Sequence, residues 1–320
     1  MKYIKLYPFL IIFALRLSPA SSENGWQHIS SISGENTGTI WGIAPGYGGS
    51  VCFLGFNGAF RYSNNRWEKI YSCYESNAYG IAFDPKETVW KAEYGKISKY
   101  LNGAWVQAAP DISEDFILTR RLSIGFDGSV WVASGNGVYR YDDIAWKRFT
   151  VLDGLYSNYI EYIITDSFGD IWCTHGDYSS TACDPGPCPP GGISRFHNGK
   201  WEGYDETDGL TSGHVYSIIP GKNGCLYAVA YNGISRFKNE AWEKILVTTR
   251  EYRMTAGPDG IIWKTDGNTL FHHDGKTWIA HAGMPGQLIA LNLKVSSDGT
   301  VWLGTTNGIV RYNSNGIVRV

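Results

Sequence analysis

A motif of roughly 40 residues recurs seven times along this 320-residue chain, and no other feature limits the possible folds so strongly. The copy from Asp127 to Trp146 shows it in full: an anchor tryptophan, Trp131, is followed fifteen residues later by a second one, Trp146. The seven anchor positions are Cys52, Trp90, Trp131, Trp172, Tyr227, Trp263 and Trp302. Such regular spacing indicates one structural unit built seven times.

Each copy contains the pattern of four short strands. In the third copy they are predicted at Arg121 to Gly125, at Ser129 to Ala133, at Val138 to Tyr141 and around Trp146. Between the second and third strands stands Asn136-Gly137, which predicts a two-residue primed turn with positive φ at both positions. Four strands per unit are typical of a propeller blade. The sequence therefore predicts an all-β fold: a seven-bladed β-propeller with four antiparallel strands per blade.

The two ends of the repeat array predict how the ring closes. Trp26 precedes the first copy in the context of a fourth strand, while the last copy ends in the short segment Gly316 to Val320. We expect the segment around Trp26 to pair with the last blade, because a closed ring leaves no open strand edge. In the alternative arrangement, Gly316 to Val320 completes the blade and Trp26 caps it.

The first twenty residues have the pattern of a secretory signal peptide. A start containing Lys2 and Lys5 precedes the apolar run from Leu6 to Leu15, and Ser18-Pro19-Ala20 supplies small residues for cleavage after Ala20. We expect a signal peptide over residues 1–20, one propeller domain over 21–320, and a periplasmic or secreted protein. The apolar run is shorter than the ~20 residues that a membrane span needs, so no span is expected after cleavage.

Net charge, cysteine spacing and motifs limit the binding partners, disulfides and cofactors that are expected. A net charge of −2 and an isoelectric point near 6.4 give no basic field, which excludes nucleic acid as an expected partner. Cys183 and Cys188 flank a Pro-Gly turn, and in an exported chain this spacing predicts a disulfide, with zinc binding as the alternative. No motif for a cofactor, a catalytic metal or a phosphate loop is present, so neither cofactor nor metal is expected.

The repeat itself resembles a known family. The segment from Asp298 to Tyr312, DGTVWLGTTNGIVRY, resembles the two-component-regulator propeller repeat, and Asp153 to Asn158 and Asp208 to Gly213 are similar to the lead-in of that repeat. In that family the repeats often build the periplasmic sensing part of membrane-bound histidine kinases, several of which detect glycans. The resemblance covers all seven copies. It implies an exported module that binds or senses a small molecule, glycan or peptide, with a separate membrane sensor protein as its expected partner.

Two other functions stay open. The segment from Gly257 to Trp263 also resembles the repeat of streptogramin-lyase propellers, which makes a lyase-type enzyme the alternative, although the paired catalytic histidines of that family have no match here. No catalytic residue is therefore nominated. A scaffold for protein–protein contacts is the third hypothesis, and a large exposed apolar patch on the outer rim would distinguish it.

The candidate binding site follows from counting back eleven residues from each anchor to the start of each innermost strand. That ring mixes aromatic and charged residues: Trp41, Tyr79, Arg120, Glu161, Tyr216, Tyr252 and Leu291. Two residues later the ring is uniformly apolar: Ile43, Ile81, Leu122, Ile163, Ile218, Met254 and Leu293. This change marks the mouth of a central channel, where Arg121, Tyr162 and Arg253 add further polar groups. Aromatic faces with a few charged groups suit a sugar or a peptide. In the alternative interpretation, Arg120 pairs with Glu161 and the ring only caps the channel.

A long insertion in the fourth copy adds a second candidate region. It runs from His175 to Gly191 in place of a short turn, and it is predicted to project over the same mouth. Its candidate ligand-binding residues are His175, Asp177 and Tyr178. Long loops on rigid scaffolds often carry function, although surface insertions are also tolerated without one.

Overall fold

The computed structural model describes residues 25–46, 48–71, 78–93, 96–110, 121–175, 191–247, 254–266, 269–274, 276–281, 284 and 288–313. The strands before the first blade are β1 (Trp26–Ile29), β2 (Ser31–Ile32) and β3 (Glu35–Asn36). Blade one consists of β4 (Ile40–Pro45), β5 (Val51–Gly55), β6 (Gly58–Ser63) and β7 (Arg66–Tyr71). Blade two consists of β8 (Ala78–Phe83), β9 (Val89–Glu93), β10 (Lys96–Leu101) and β11 (Ala104–Gln107). Blade three consists of β12 (Arg121–Ile124), β13 (Val130–Ser134), β14 (Gly137–Tyr141) and β15 (Trp146–Phe149).

The remaining strands follow the same order. Blade four consists of β16 (Ile160–Thr165), β17 (Ile171–His175), β18 (Gly192–His197) and β19 (Lys200–Tyr204). Blade five consists of β20 (Val215–Pro220), β21 (Leu226–Ala230), β22 (Gly233–Lys238) and β23 (Ala241–Val247). Blade six consists of β24 (Met254–Ala256), β25 (Ile262–Asp266), β26 (Thr269–His273) and β27 (Trp278–Ala280). Blade seven begins with β28 (Ala290–Val295), β29 (Val301–Thr305) and β30 (Gly308–Tyr312). Short 3-10 turns lie at Val151–Asp153, Glu206–Asp208 and Lys222–Gly224.

Seven four-stranded antiparallel sheets confirm the predicted seven-bladed propeller. In each blade the strand that comes first in the chain is innermost, and the strands β2 and β3 form a separate two-stranded hairpin. The residues predicted as an apolar ring pack in the core: Ile43, Leu122, Ile163, Ile218, Met254 and Leu293 are buried, and Ile81 is partly buried. The repeat period alone therefore predicts both the number of blades and their internal core.

The N-terminal strand closes the ring, as predicted. β1 completes blade seven by pairing antiparallel with β30, from Trp26 opposite Tyr312 to Ile29 opposite Ile309. Trp26 is buried, and its ring lies 4.7 Å from that of Tyr312. Since β1 occupies the fourth-strand position, the alternative in which Trp26 only caps the blade is wrong. Residues 314–320 lie outside the described part of the chain.

The anchor tryptophan Trp172 holds a turn and a basic side chain in place. The indole N–H of Trp172 donates to a carboxylate oxygen of Asp166 at 2.8 Å, in the turn between the two innermost strands. Its cross-strand neighbour Arg195 places its guanidinium 5.1 Å from the centre of the Trp172 ring. Such a contact between a cation and an aromatic face is attractive. The pairs Trp131 with Arg140 and Trp302 with Arg311 repeat it at 5.3 and 5.4 Å.

The predicted Asn-Gly turn is wrong by one residue. Ser134 pairs with Gly137, so Gly135 and Asn136 form the turn, and only Gly137 of the predicted pair has a positive φ, 113°. Glycine is required there for a second reason: a Cβ atom would lie 2.2 Å from the backbone oxygen of Phe149. Turns with positive φ at both residues lie instead between the third and fourth strands, as at Asn198-Gly199 with 48° and 80°.

Some predictions fall on residues that the structure does not describe. The signal peptide over residues 1–20 and the cysteines Cys183 and Cys188 belong to this group. Within the part of the chain that the structure describes, no helix has the length and apolar character needed to cross a membrane. In the same part, no group of three or more histidine, cysteine or acidic side chains is placed to hold a metal ion.

Candidate functional site

A β-bulge marks the start of five innermost strands. In β4 the pairing passes from Ile40 directly to Gly42, so Trp41 is left out of the ladder. The same shift leaves out one residue in four other blades: Tyr79, Glu161, Tyr216 and Leu291. These are the positions that the sequence predicts at the mouth, and a bulge re-aims the side chain that it carries. The predicted mouth level is therefore a ring of bulges. The side chain of Tyr79 and all of Arg120, Tyr252 and Arg253 lie outside the described structure.

Blade one contributes an aromatic pair to this ring. Trp41 is half-buried, and it meets Phe56 edge-on with the ring centres 4.8 Å apart. Phe56 lies in the turn between β5 and β6, and 59% of its surface is exposed. The other side of Trp41 packs against the buried cluster that contains Leu54 and Phe83. Trp41 is thus a supported aromatic surface rather than a freely exposed side chain, and Phe56 extends it into solvent.

Blade five contributes a second aromatic group. The ring of Tyr216 lies 4.6 Å from that of His214, and Tyr231 stacks on His214 at 6.1 Å with an angle of 5° between the rings. All three side chains are half-buried. His214 and Tyr231 come from the loop before β20 and the turn after β21, which lie at the same end of the blade. The sequence predicted only Tyr216 of this group.

The channel cluster, made of Arg121, Tyr162, Ser217 and Lys294, lies just inside the ring of bulges. The ammonium group of Lys294 donates to the hydroxyl oxygen of Ser217 at 3.0 Å and lies 5.2 Å from the centre of the Tyr162 ring. The guanidinium of Arg121 lies 5.5 Å from the same ring. Lys294 belongs to blade seven, which is not a neighbour of blades four and five. Its side chain must therefore cross the central channel to make these contacts.

The positive charges of the cluster act on the phenol of Tyr162. Burial by itself raises the pKa of a tyrosine. Here the nearby charges of Lys294 and Arg121, together with hydrogen bonds from Lys294 and Ser217, outweigh burial and lower the pKa of Tyr162 below its ordinary value. Lys294 and Arg121 therefore make the immediate surroundings of the Tyr162 phenol electropositive.

Sequence reasoning found Arg121 and Tyr162 but missed Ser217 and Lys294. The signal was present in the alternation of the innermost strands: residues one and three places after the bulge are half-buried, whereas the residue two places after it is buried. Ser217 is one place after the bulge in β20, and Lys294 is three places after the bulge in β28. Counting both places in every blade would have included them.

His175 lies in the interior and not on the surface of the insertion. It is the last residue of β17 and fully buried, with Nε2 2.7 Å from the hydroxyl oxygen of Ser194. Nδ1 has no hydrogen-bond partner of ordinary geometry within the described structure. Burial lowers the pKa of His175 to about 4, and backbone groups of Tyr159 and Ser157 offset only part of this. The other two candidates in the insertion, Asp177 and Tyr178, are outside the described residues.

Comparison with known proteins finds the fold in several solved structures. No family model and no curated protein matches the sequence. The extracellular domain of the hybrid two component system BT4673 from B. thetaiotaomicron is 17% identical with a TM-score of 0.67, over 91% of this chain and 40% of that one. Streptogramin B lyase is 19% identical with a TM-score of 0.69, over 91% and 99%. YCF48 bound to D1 peptide is 17% identical with a TM-score of 0.64, over 92% and 99%.

These similarities show that the chain shares its propeller architecture with the extracellular domain of BT4673 and with streptogramin B lyase. The chain spans about two fifths of the length of the BT4673 domain. The TM-scores establish a shared fold, while the sequence identities are below one fifth. A shared fold does not by itself determine function. Evidence for the function therefore has to come from the side chains at the mouth of the channel.

Proposed function

We propose that this protein is an exported binding or sensing module that recognises a glycan or a peptide at the mouth of its channel. The observation that carries the proposal is the channel cluster, in which four different blades direct polar side chains to one place below a ring of bulges. Aromatic surfaces at Trp41 and Tyr216 stand on the bulge level above it. Flat apolar rings around a few convergent polar groups are typical of ligand sites.

The location and the partner belong to the same proposal. An exported location, periplasmic or secreted, is supported by the fold shared with the extracellular domain of BT4673 and by the signal-peptide pattern of the first twenty residues. A separate membrane sensor protein would then receive the signal of ligand binding. A lyase-type activity is the alternative, and it predicts a different response to mutation: loss of one acid–base residue abolishes turnover, whereas binding falls gradually with single changes at the mouth.

Trp41→Ala is expected to weaken ligand binding by about 2 kcal/mol, which corresponds to roughly a 30-fold loss of affinity. The substitution removes the supported aromatic surface at the mouth while leaving the repeat tryptophans in place. Glycan and peptide arrays probed with the mature protein identify the ligand, and calorimetric titration then compares the variant with the parent.

Trp146→Ala is the matched control. Trp146 is a half-buried tryptophan on the outer strand β15, where its indole N–H donates to the backbone oxygen of Pro110 at 3.0 Å. This change is expected to lower the melting temperature without changing the affinity. If Trp41→Ala binds the array ligand as tightly as the parent does, the proposed site at the mouth is wrong.

A further inference from the structure

The two cations of the channel cluster form no ion pair in the described structure, whereas two other enclosed cations, Lys91 and Arg195, do. Lys91 is paired with Glu93 at 2.9 Å, and Arg195 with Asp170 at 2.7 Å. Across the described ranges, neither Arg121 nor Lys294 takes part in any ion pair. Holding cations in a half-buried channel without a counter-charge costs free energy, and buried charges are usually paired. An anionic group of a bound ligand would supply this counter-charge.

The groups of the cluster are suited to bind one oxyanion. An ammonium group offers three donors, a guanidinium offers a planar fork, and the hydroxyls of Tyr162 and Ser217 each offer one more. Hydrogen bonds from charged donors to carboxylate or sulfate oxygens are stronger than hydrogen bonds between neutral groups. Both cations lie close to one ring, at 5.2 and 5.5 Å from the centre of Tyr162, and Lys294 also reaches the hydroxyl of Ser217 at 3.0 Å.

We propose that the channel cluster is an oxyanion subsite, which binds a carboxylate or sulfate group of the ligand while aromatic rings at the mouth contact its uncharged part. This inference rests on the proposed function, because it specifies the chemistry of the ligand at that site. The lowered pKa of Tyr162 agrees with it, since a net positive potential favours phenolate and a bound oxyanion alike.

Small anions test the subsite directly, without knowledge of the full ligand. The ionisation of Tyr162 is followed by ultraviolet absorbance during a pH titration, and the titration curve of the Tyr162→Phe variant is subtracted from that of the parent. The titration is done in sodium chloride and repeated in sodium sulfate or sodium glucuronate at equal ionic strength. An oxyanion in the cluster neutralises the positive potential, so the titration midpoint of Tyr162 is expected to rise by about one pH unit. Sulfate and glucuronate are separate arms, and the larger rise identifies the preferred group.

Charge-removing variants show where the anion binds. Lys294→Gln and Arg121→Gln are each expected to reduce the affinity for the effective anion about tenfold or more. Lys200→Gln, an exposed lysine at the start of β19, is the control and is expected to change nothing. An unchanged midpoint in both anions overturns the subsite, and so does equal binding by the Lys294→Gln variant. Such a result would mean that a carboxylate of the chain itself, for example that of Glu161, already neutralises the cluster.

Paired ligands separate this inference from the function on which it rests. Acidic oligosaccharides are arrayed beside their methyl-esterified or desulfated forms. Binding of the acidic form alone supports both proposals. Tight binding of a neutral glycan or peptide that is lost in Trp41→Ala, with no response to anions, supports the proposed function and overturns the oxyanion subsite. Anion binding at the cluster without any array ligand supports the subsite and contradicts the glycan or peptide module.

Discussion

Gly137→Ala is expected to lower the free energy of unfolding by roughly 3 kcal/mol. Gly137 opens β14 with a φ of 113°, a conformation that side chains other than glycine rarely adopt. The added Cβ would also lie 2.2 Å from the backbone oxygen of Phe149, which belongs to the outer strand of the same blade. Relief of that overlap requires the outer strand to move away, which weakens its pairing with β14.

Gly135→Ala, two residues earlier in the same turn, is the matched control. Its φ is not positive, and the nearest atom to an added Cβ is a ring carbon of Tyr159 at 3.8 Å, an ordinary contact. This variant is expected to stay within about 0.5 kcal/mol of the parent. Urea denaturation monitored by tryptophan fluorescence measures both variants. Equal stability of the two would show that the outer strand accommodates the methyl group and that the proposed role of Gly137 is wrong.

Acid is expected to destabilise the protein well above the pH at which carboxylates titrate. The pKa of buried His175 is lowered to about 4, while an unfolded chain has its histidine pKa near 6.5. As the pH falls below 6.5, the histidine becomes protonated in the unfolded chain but stays neutral in the folded one. The free energy of unfolding therefore decreases progressively towards pH 4. At pH 5 this amounts to about 2 kcal/mol relative to neutral pH.

A second histidine adds to the same dependence. The pKa of His281 is lowered to about 4, first by burial and then by the charge of His272, whose Nδ1 lies 2.8 Å from Nε2 of His281. Nδ1 of His281 lies 2.8 Å from the hydroxyl of Tyr312, on the strand that β1 closes. Its effect has the same sign as that of His175: stability is present at neutral pH and is lost on acidification.

His175→Gln separates the two contributions. The variant is less stable than the parent at pH 7, because a buried side chain that fits its site has been replaced. Between pH 7 and pH 5, however, its stability is expected to fall by about 2 kcal/mol less than that of the parent, as measured by denaturation at a series of pH values. His273→Gln, at a partly exposed position on β26 beside Trp278, is the control for loss of an imidazole outside the core. If the stability of His175→Gln falls between pH 7 and pH 5 as steeply as that of the parent, His175 is not the source of the acid sensitivity.

The sequence predicts this fold more completely than it predicts the site. Seven anchors at regular spacing are enough to count the blades, and Trp26 outside the first copy is enough to identify the closing strand, because both follow from repetition along the chain. The turn predicted at Asn136-Gly137 lies one residue earlier, and the need for glycine at Gly137 comes from the carbonyl of Phe149 on another strand, which local sequence does not reveal. The alternation of β28 marks Lys294 as a half-buried position, but its contacts with Ser217 and Tyr162, on blades far away in the chain, do not follow from repetition.

Pairing of β1 with β30 also sets an order of events for folding. In blades one to six the four strands follow one another along the chain, whereas closure of blade seven joins residues such as His28 and Asn307 that are 279 positions apart. Until β30 has been synthesised, the earliest strand of the chain has no partner, and the growing array exposes an unpaired edge at each end. Contacts between such distant residues form slowly, and open edges invite pairing with other molecules. Pairing of β1 with β30 removes both open edges and, with them, this route to aggregation.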